Sequence, residues 1–347
     1  MPDLIVTNFN RNFTGVSATT AGVVRQQMQL FDMVLVGQAL PGCPDPVRLA
    51  EARRLSRVAP KGKPFTIWHV RRNTEMRAAI WARDVLRLPI KIVFTSAAQR
   101  RHSAFPRWLI SRMDAVIATT QAAADFVPHV RAVVPHGVDT DLFIPAQNRA
   151  SAWAATGYPG ASGIATIGRI RPEKGTDRFV EAMLEFLPAH PDVTALVIGR
   201  AAPSDQAFLS GLKTQIADAG LTDRILFPGE IPAPELPALM RSLSAVVQLP
   251  RYEGYGMTPL EGMASGVPFV ANDAGYYRSF SGQGTCGTIT PDDNPKATAT
   301  ALSDILSSPA RLDQMAEAAR ASAEMHYSVK AEAAGINAVY QQMWADT

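Results

Sequence analysis

The sequence predicts an α/β protein of two doubly wound domains facing across a cleft. Three observations carry this expectation. Short β-branched runs alternate with longer amphipathic stretches along the chain. The alternation breaks once, over residues 145–163, where Pro145, Gly157, Pro159, Gly160 and Gly163 cluster. Charge divides in the same region: residues 1–150 hold 20 Lys and Arg against 10 Asp and Glu, and residues 151–347 hold 14 against 21. A basic half joined to an acidic half suits two domains with different partners.

In the first half, strands are expected at 4–7, 33–36, 65–68, 90–94, 115–118 and 132–134. Helices are expected near 17–30, 73–87 and 121–127. In the second half, strands are expected at 164–167, 194–198, 225–227, 245–249 and 268–271, with helices near 177–187, 205–219, 234–243 and 259–265. The strands are apolar almost throughout, as in parallel sheets covered on both faces. The stretch 145–163 reads as the interdomain connection, dividing residues 1–145 from 146–328. Beyond residue 295 the chain is Ala-rich and helical, and a last helix over 329–347 is expected to return to the first domain.

At 47% hydrophobic residues the chain is no disordered tail. No apolar run reaches the roughly 18 to 20 residues of a membrane span. The start Met1-Pro2-Asp3-Leu4-Ile5-Val6 lacks the pattern of a signal peptide. Cys43 and Cys286 are too few for a disulfide scaffold or a cysteine metal cluster, so a reducing cytoplasm is expected.

The strongest chemical signal runs from Arg251 to Pro268. It follows a strand, opens with Gly254 and Gly256, and enters a helix. Glycines allow backbone N–H groups to approach a ligand, and a helix N-terminus favours a phosphate. Thr258 is expected as the N-cap with Pro259 at the first helical position, and Thr258 with Glu261 spells a capping box. Glu261 and Glu253 are then either ligand-binding carboxylates or local caps. A second signal is Gly168-Arg169-Ile170-Arg171-Pro172-Glu173-Lys174-Gly175. Arg169 and Lys174 leave a strand end where a diphosphate would suit them, unless Glu173 or Asp177 pairs with them. A third is Asn12-Phe13-Thr14-Gly15-Val16-Ser17, where Gly15 could offer backbone N–H to the same diphosphate or Ser17 could merely cap a helix.

These residues resemble the retaining glycosyltransferases of family 4, whose GT-B fold pairs two Rossmann-like domains. The likeness rests on the Gly15 loop, Gly168-Arg169 with Lys174-Gly175, and Glu253-x7-Glu261 followed by Ala264-Ser265-Gly266-Val267-Pro268. Pro135-His136-Gly137-Val138-Asp139-Thr140-Asp141-Leu142-Phe143 is similar to that family's N-G-V-D-x-x-x-F segment, with His136 in place of asparagine. Within the family, the lipopolysaccharide core mannosyltransferases, which use GDP-mannose, are the nearest likeness.

The resemblance implies roles. Arg169 and Lys174 would hold the donor diphosphate. Glu261 would bind the ribose, and Glu253 the hydroxyls of the transferred sugar. The backbone of Gly254, Tyr255, Gly256, Met257 and Thr258 would cradle sugar and phosphate, with Gly168 and Gly15 close by. A histidine facing the sugar is usual after the fourth strand; here only His69 and His102 lie in that region. Asp139-Thr140-Asp141 is formally a metal-binding D-x-D but suits a turn, so neither a metal nor any other cofactor is expected. Arg71, Arg72, Arg100 and Arg101 are candidate sugar or acceptor contacts. The run 99–112, with its cations and aromatics, suits an anionic membrane surface, an anionic acceptor, or a helix with its apolar face in the core. No nucleic-acid motif accompanies it. The expected partners are a nucleotide sugar and a glycolipid or lipopolysaccharide core acceptor, met at the inner face of the cytoplasmic membrane. A UDP-sugar hexosyltransferase and a GT-B nucleotide-sugar epimerase are the alternatives.

Overall fold

The computed structural model describes residues 1–12 and 14–346. Phe13 of the first glycine loop and Thr347 at the chain end lie outside the described residues. The chain forms two compact units, Met1–Gly137 with Tyr327–Thr347, and Val138–His326.

The first unit is built on a parallel sheet of β1 (Leu4–Asn8), β2 (Met33–Gly37), β3 (Thr66–Val70), β4 (Ile90–Ser96), β5 (Ala115–Ala118) and β6 (Val130–Val133), in the order β2-β1-β3-β4-β5-β6. Alternate residues of the strands feed two cores. Leu4, Val6 and Val93 face the C-terminal helix Val329–Ala345 with its Ala333, Ile336, Val339 and Tyr340. Ile5, Trp68, Ile92 and Phe94 face Met76, Leu109 and Ile110 on the helices Asn73–Ile80 and Ala104–Ser111.

The second unit carries β7 (Ser162–Ile167), β8 (Val193–Ile198), β9 (Ile225–Gly229), β10 (Ala245–Gln248), β11 (Phe269–Asn272) and β12 (Gly287–Thr290), parallel in the order β12-β11-β10-β7-β8-β9. Its largest buried side chains include Phe179, Phe186 and Phe269. In each unit the strand order reverses once: between β1 and β3, and between β7 and β10. Ligands of open parallel sheets collect beyond the carboxyl ends of the strands at such points.

The structure corrects several expectations. Residues 145–163 are not a bare connection. They contain the helix Arg149–Ala154, capped by Asn148, whose Oδ1 accepts from Ser151 N at 2.8 Å. Trp153 on that helix is buried, with its indole N–H donating to Gly160 O at 3.1 Å. The units divide eight residues earlier than the expected boundary, because Arg320 ties residues 140–143 to the second unit: its guanidinium donates to Phe143 O, Thr140 O and Ala264 O at 2.7, 3.0 and 2.6 Å. β12 was not foreseen. Its Gly-Thr-Ile-Thr sequence is weakly apolar, and its glycine lies where the Phe269 ring leaves no room for a Cβ. The helix Leu49–Leu55 was also missed, since only Ala52 on it is fully buried.

Candidate active site

The loops at the β7/β10 reversal carry the residues the sequence singled out. After β7, Gly168 and Arg169 are exposed, and Arg169 has no ion pair among the described residues. The chain then makes a short 3-10 turn, Pro172–Lys174, and enters the helix Thr176–Phe186. Lys174 does not pair with Glu173 or Asp177. Its Nζ sits 2.7 Å from Glu253 Oε2, while Glu253 Oε1 accepts from Gly254 N at 2.9 Å. The two residues expected to share one ligand therefore touch each other across two loops.

Those loops are locked together by Arg251, Asn272 and Arg178, which have no expected role in the sequence, and by Asp177, expected only as a possible partner of Arg169 or Lys174. The Arg251 guanidinium clasps Asp177 with two hydrogen bonds of 2.8 and 2.7 Å and also donates to Pro172 O. Burial alone would push the Asp177 carboxyl up, but the Arg251 hydrogen bonds, the Arg251 charge and backbone N–H donors together outweigh it and hold the carboxyl below the usual range. Asn272 Nδ2 donates to Pro250 O at 2.8 Å, and Arg178 reaches Leu249 O at 3.4 Å. Nothing in the spacing of these residues marks them, because each acts on a carbonyl or carboxylate distant in sequence.

Beyond the loop, the helix Met257–Ala264 begins one residue after Gly256. Gly256 has φ +94°, and a Cβ there would fall 2.1 Å from the Tyr277 ring, so only glycine fits. Thr258 is thus inside the helix and makes no side-chain cap, which removes the expected capping box. Glu261 is left without a chain partner among the described residues, and burial pushes its carboxyl up to about 7. Tyr255 is buried and stacked on Tyr276 with ring centroids 5.4 Å apart, so it can offer a ligand only its backbone. Met257 and Thr258 are half-buried. The result is two cations, two carboxylates and the open N-terminus of a helix near the β7/β10 reversal. Such a constellation can take a diphosphate with its ribose and sugar. A cavity of about 340 Å³ adjoins it, lined by Gly168, Arg169, Arg200 and Glu230 among others.

At the β1/β3 reversal of the first unit, Gly15 opens the helix Gly15–Gln27, and a Cβ added there would meet nothing within 4 Å among the described residues beyond its chain neighbours. Ser17 lies inside the helix rather than capping it, and its hydroxyl accepts from Arg72 at 3.1 Å. Arg72 also donates to Asn8 Oδ1 and Glu75 Oε1, at 3.0 Å each. Glu75, fully buried, gathers Thr7 Oγ1, Phe9 N and Arg71 N as well, at 3.0, 3.1 and 2.8 Å. Arg72 and Glu75 therefore tie the end of β1 to the start of the helix Gly15–Gln27, and Glu75 was missed. A carboxylate in the first turn of a helix reads as an ordinary dipole partner.

The histidines separate. His69 is inside β3, fully buried, bonded through Nδ1 to the Tyr340 hydroxyl and through Nε2 to Thr95 Oγ1 at 2.7 Å. Burial and then Arg71 hold it well below the ordinary imidazole range. It is a core residue, which corrects its expected role as a sugar contact. The Arg71 side chain lies near Tyr340, Glu332 and Glu75, and burial lowers its pKa. His102 is half-buried, and its Nε2 lacks a partner among the described residues. With Arg100, Arg101, Asn73 and Arg107 it lines an open cavity of about 700 Å³. Asp139 is a turn acceptor: its Oδ1 takes the N–H groups of Asp141 and Leu142 at 3.2 Å each.

Comparison with known proteins bears on the family and the fold. Residues 159–322 match the family model described as "Glycosyl transferases group 1". The chain is 38% identical, over all of its length and 99% of the relative's, to the lipopolysaccharide core biosynthesis mannosyltransferase LpcC of Rhizobium leguminosarum bv. viciae. It is 39% identical, over 98% of its length and 97% of the relative's, to the lipopolysaccharide core biosynthesis mannosyltransferase LpsB of Rhizobium meliloti. Among solved structures, Anabaena Alr3699/HepE in complex with UDP and glucose superposes over 99% of this chain and 100% of that chain, with a TM-score of 0.81 at 16% identity. Two doubly wound units of this kind are the GT-B fold, and the chain belongs to the group 1 glycosyl transferases.

Proposed function

We propose that this chain is a mannosyltransferase that moves mannose from GDP-mannose to a hydroxyl of a lipopolysaccharide core, with retention at the anomeric carbon. The two full-length relatives near 38% identity support the sugar and the acceptor by their names. The contact that carries the chemistry is Lys174 Nζ to Glu253 Oε2 at 2.7 Å, a cation and a carboxylate poised at the strand reversal. When donor binds, Lys174 turns to the diphosphate beside Arg169, and Glu253 receives sugar hydroxyls. Glu261, with no partner among the described residues, accepts from the ribose.

In the transfer, the bond from the anomeric carbon to the phosphate oxygen breaks and one to the acceptor oxygen forms on the same face. The acceptor proton passes to the leaving phosphate, giving GDP and the mannosylated acceptor. Negative charge grows on the diphosphate, where Arg169, Lys174 once turned from Glu253, and the N–H groups opening the helix Met257–Ala264 stabilise it. These cations supply the charge that a divalent metal supplies elsewhere, so the reaction proceeds without metal or other cofactor. The test is transfer from GDP-mannose and from UDP-glucose, with and without acceptor. GDP-mannose is expected to serve with retained configuration, and Lys174→Ala to lower turnover at least tenfold with an unchanged circular dichroism spectrum. Turnover with UDP-glucose alone would overturn the donor. Isomerisation without acceptor would reveal an epimerase, and a trapped sugar adduct on Glu253 would replace the same-face route.

A membrane-surface reading of the first unit has its own support. Phe105 and Trp108 on the helix Ala104–Ser111 are 53% and 55% exposed and stacked, with ring centroids 6.2 Å apart. Residues 85–113 contain Arg87, Lys91, Arg100, Arg101, Arg107 and Arg112 and no carboxylate. Exposed aromatics within a cationic field suit the headgroup region of an anionic bilayer, where a glycolipid acceptor would be met. No helix among the described residues is long and apolar enough to cross a membrane.

A further inference from the structure

We propose that Glu230 reads the nucleobase of the donor and selects guanine over uracil. This rests on the reading of the second unit as the nucleotide-sugar site and deepens it. The cavity beside Arg169 is formed by three strand exits held in register: Gly168 N donates to Ile198 O, and Gly199 N to Gly229 O, both at 2.9 Å. Arg169, Arg200 and Glu230 therefore leave β7, β8 and β9 around one opening of about 340 Å³. Gly199, at φ +143°, keeps the floor bare, since a Cβ there would lie 1.8 Å from Gly168 O. Ile167, Ile198, Ile231 and Leu236 supply apolar walls suited to the faces of a planar ring.

Glu230 is the carboxylate of this lining, and it is exposed. Although Arg169 and Arg200 line the same cavity, Glu230 forms no ion pair or hydrogen bond among the described residues. A carboxylate is an acceptor only, with two parallel oxygens. Guanine presents two parallel donors on one edge, N1–H and the N2 amino group, and meets it in a charge-assisted pair. Uracil presents a single N–H flanked by two carbonyl oxygens that a carboxylate repels. Adenine offers a ring acceptor where guanine has its N1 donor. A site built on a bidentate pair rejects a ligand that cannot complete it.

The test measures binding of GDP, IDP and UDP by calorimetry to the wild-type chain, Glu230→Gln and Glu230→Ala. IDP has the guanine edge without its amino group. Wild type is expected to prefer GDP to UDP by roughly tenfold or more, with IDP between them. In Glu230→Ala both gaps should close through loss of GDP affinity, with UDP affinity unchanged, and Glu230→Gln should lie between. Variants that keep the wild-type GDP:UDP and GDP:IDP ratios would overturn the role of Glu230 alone, whereas wild-type preference for UDP would overturn the GDP-mannose donor together with it. Failure of every nucleotide to bind would overturn the nucleotide-sugar reading and this one together.

Discussion

Burial raises the Glu261 carboxyl from an ordinary 4.5 to about 7, and nothing among the described residues compensates the charge when it ionises. Below the unfolded value both states are protonated and folding bears no cost. Between the two values only the unfolded chain ionises, so the cost grows with pH and is complete above the folded value. Glu261→Gln should therefore stabilise the free protein at about pH 8, by up to roughly 3 kcal/mol, and leave it unchanged at about pH 4, as read by chemical denaturation at each pH. The same group gives a functional signature. A ribose hydroxyl pairs best with the ionised carboxylate, so the donor KM of the wild type should fall between about pH 6 and about pH 8, while that of Glu261→Gln stays flat. A flat wild-type profile would remove Glu261 from the ribose.

The helix Ala104–Ser111 shows how an element takes two assignments at once. Leu109 and Ile110 are buried in the core of the first unit, whereas Phe105 and Trp108 stand in solvent. The sequence left core, acceptor and membrane readings open for this run, and burial answers for only half of it. Trp108→Ala combined with Phe105→Ala should lower co-sedimentation with anionic vesicles several-fold, with little loss of stability because neither ring is buried. Equal binding by the double variant would assign these rings to another partner. The site helix Met257–Ala264 carries a related lesson. Thr258 and Glu261 match a capping box letter for letter, yet the helix starts at Met257 because Gly256, pressed against Tyr277, takes a left-handed conformation. Local pattern alone placed the cap two residues late.

At the scale of the molecule, the last helix belongs to the first unit although it follows the second in sequence. His136 Nδ1 lies 2.7 Å from Glu332 Oε1, and Gly137 N donates to Glu332 Oε2 at 2.8 Å. His69 meets Tyr340, and Gln27 donates to Asn337 at 2.8 Å. With Val329, Ile336 and Val339 in the same core, these contacts make the helix a wall of the first sheet. Ending the chain at His326 should therefore abolish the melting transition of the first unit while that of Val138–His326 persists, as followed by calorimetry. Two intact transitions would show the helix to be dispensable.

The alternation of apolar strands and amphipathic helices, the charge division and the spacing Gly168-Arg169, Lys174, Glu253, Glu261 were legible in the sequence alone, because periodicity and glycine-loop chemistry are local properties. The strand order, the Lys174–Glu253 contact, the Arg251–Asp177 clasp, the buried Glu75 hub and the reassignment of His69 to the core were decided by tertiary structure. Each depends on which distant carbonyl, carboxylate or ring arrives beside a side chain. Burial then determines whether that side chain is spent within the fold or left for a ligand.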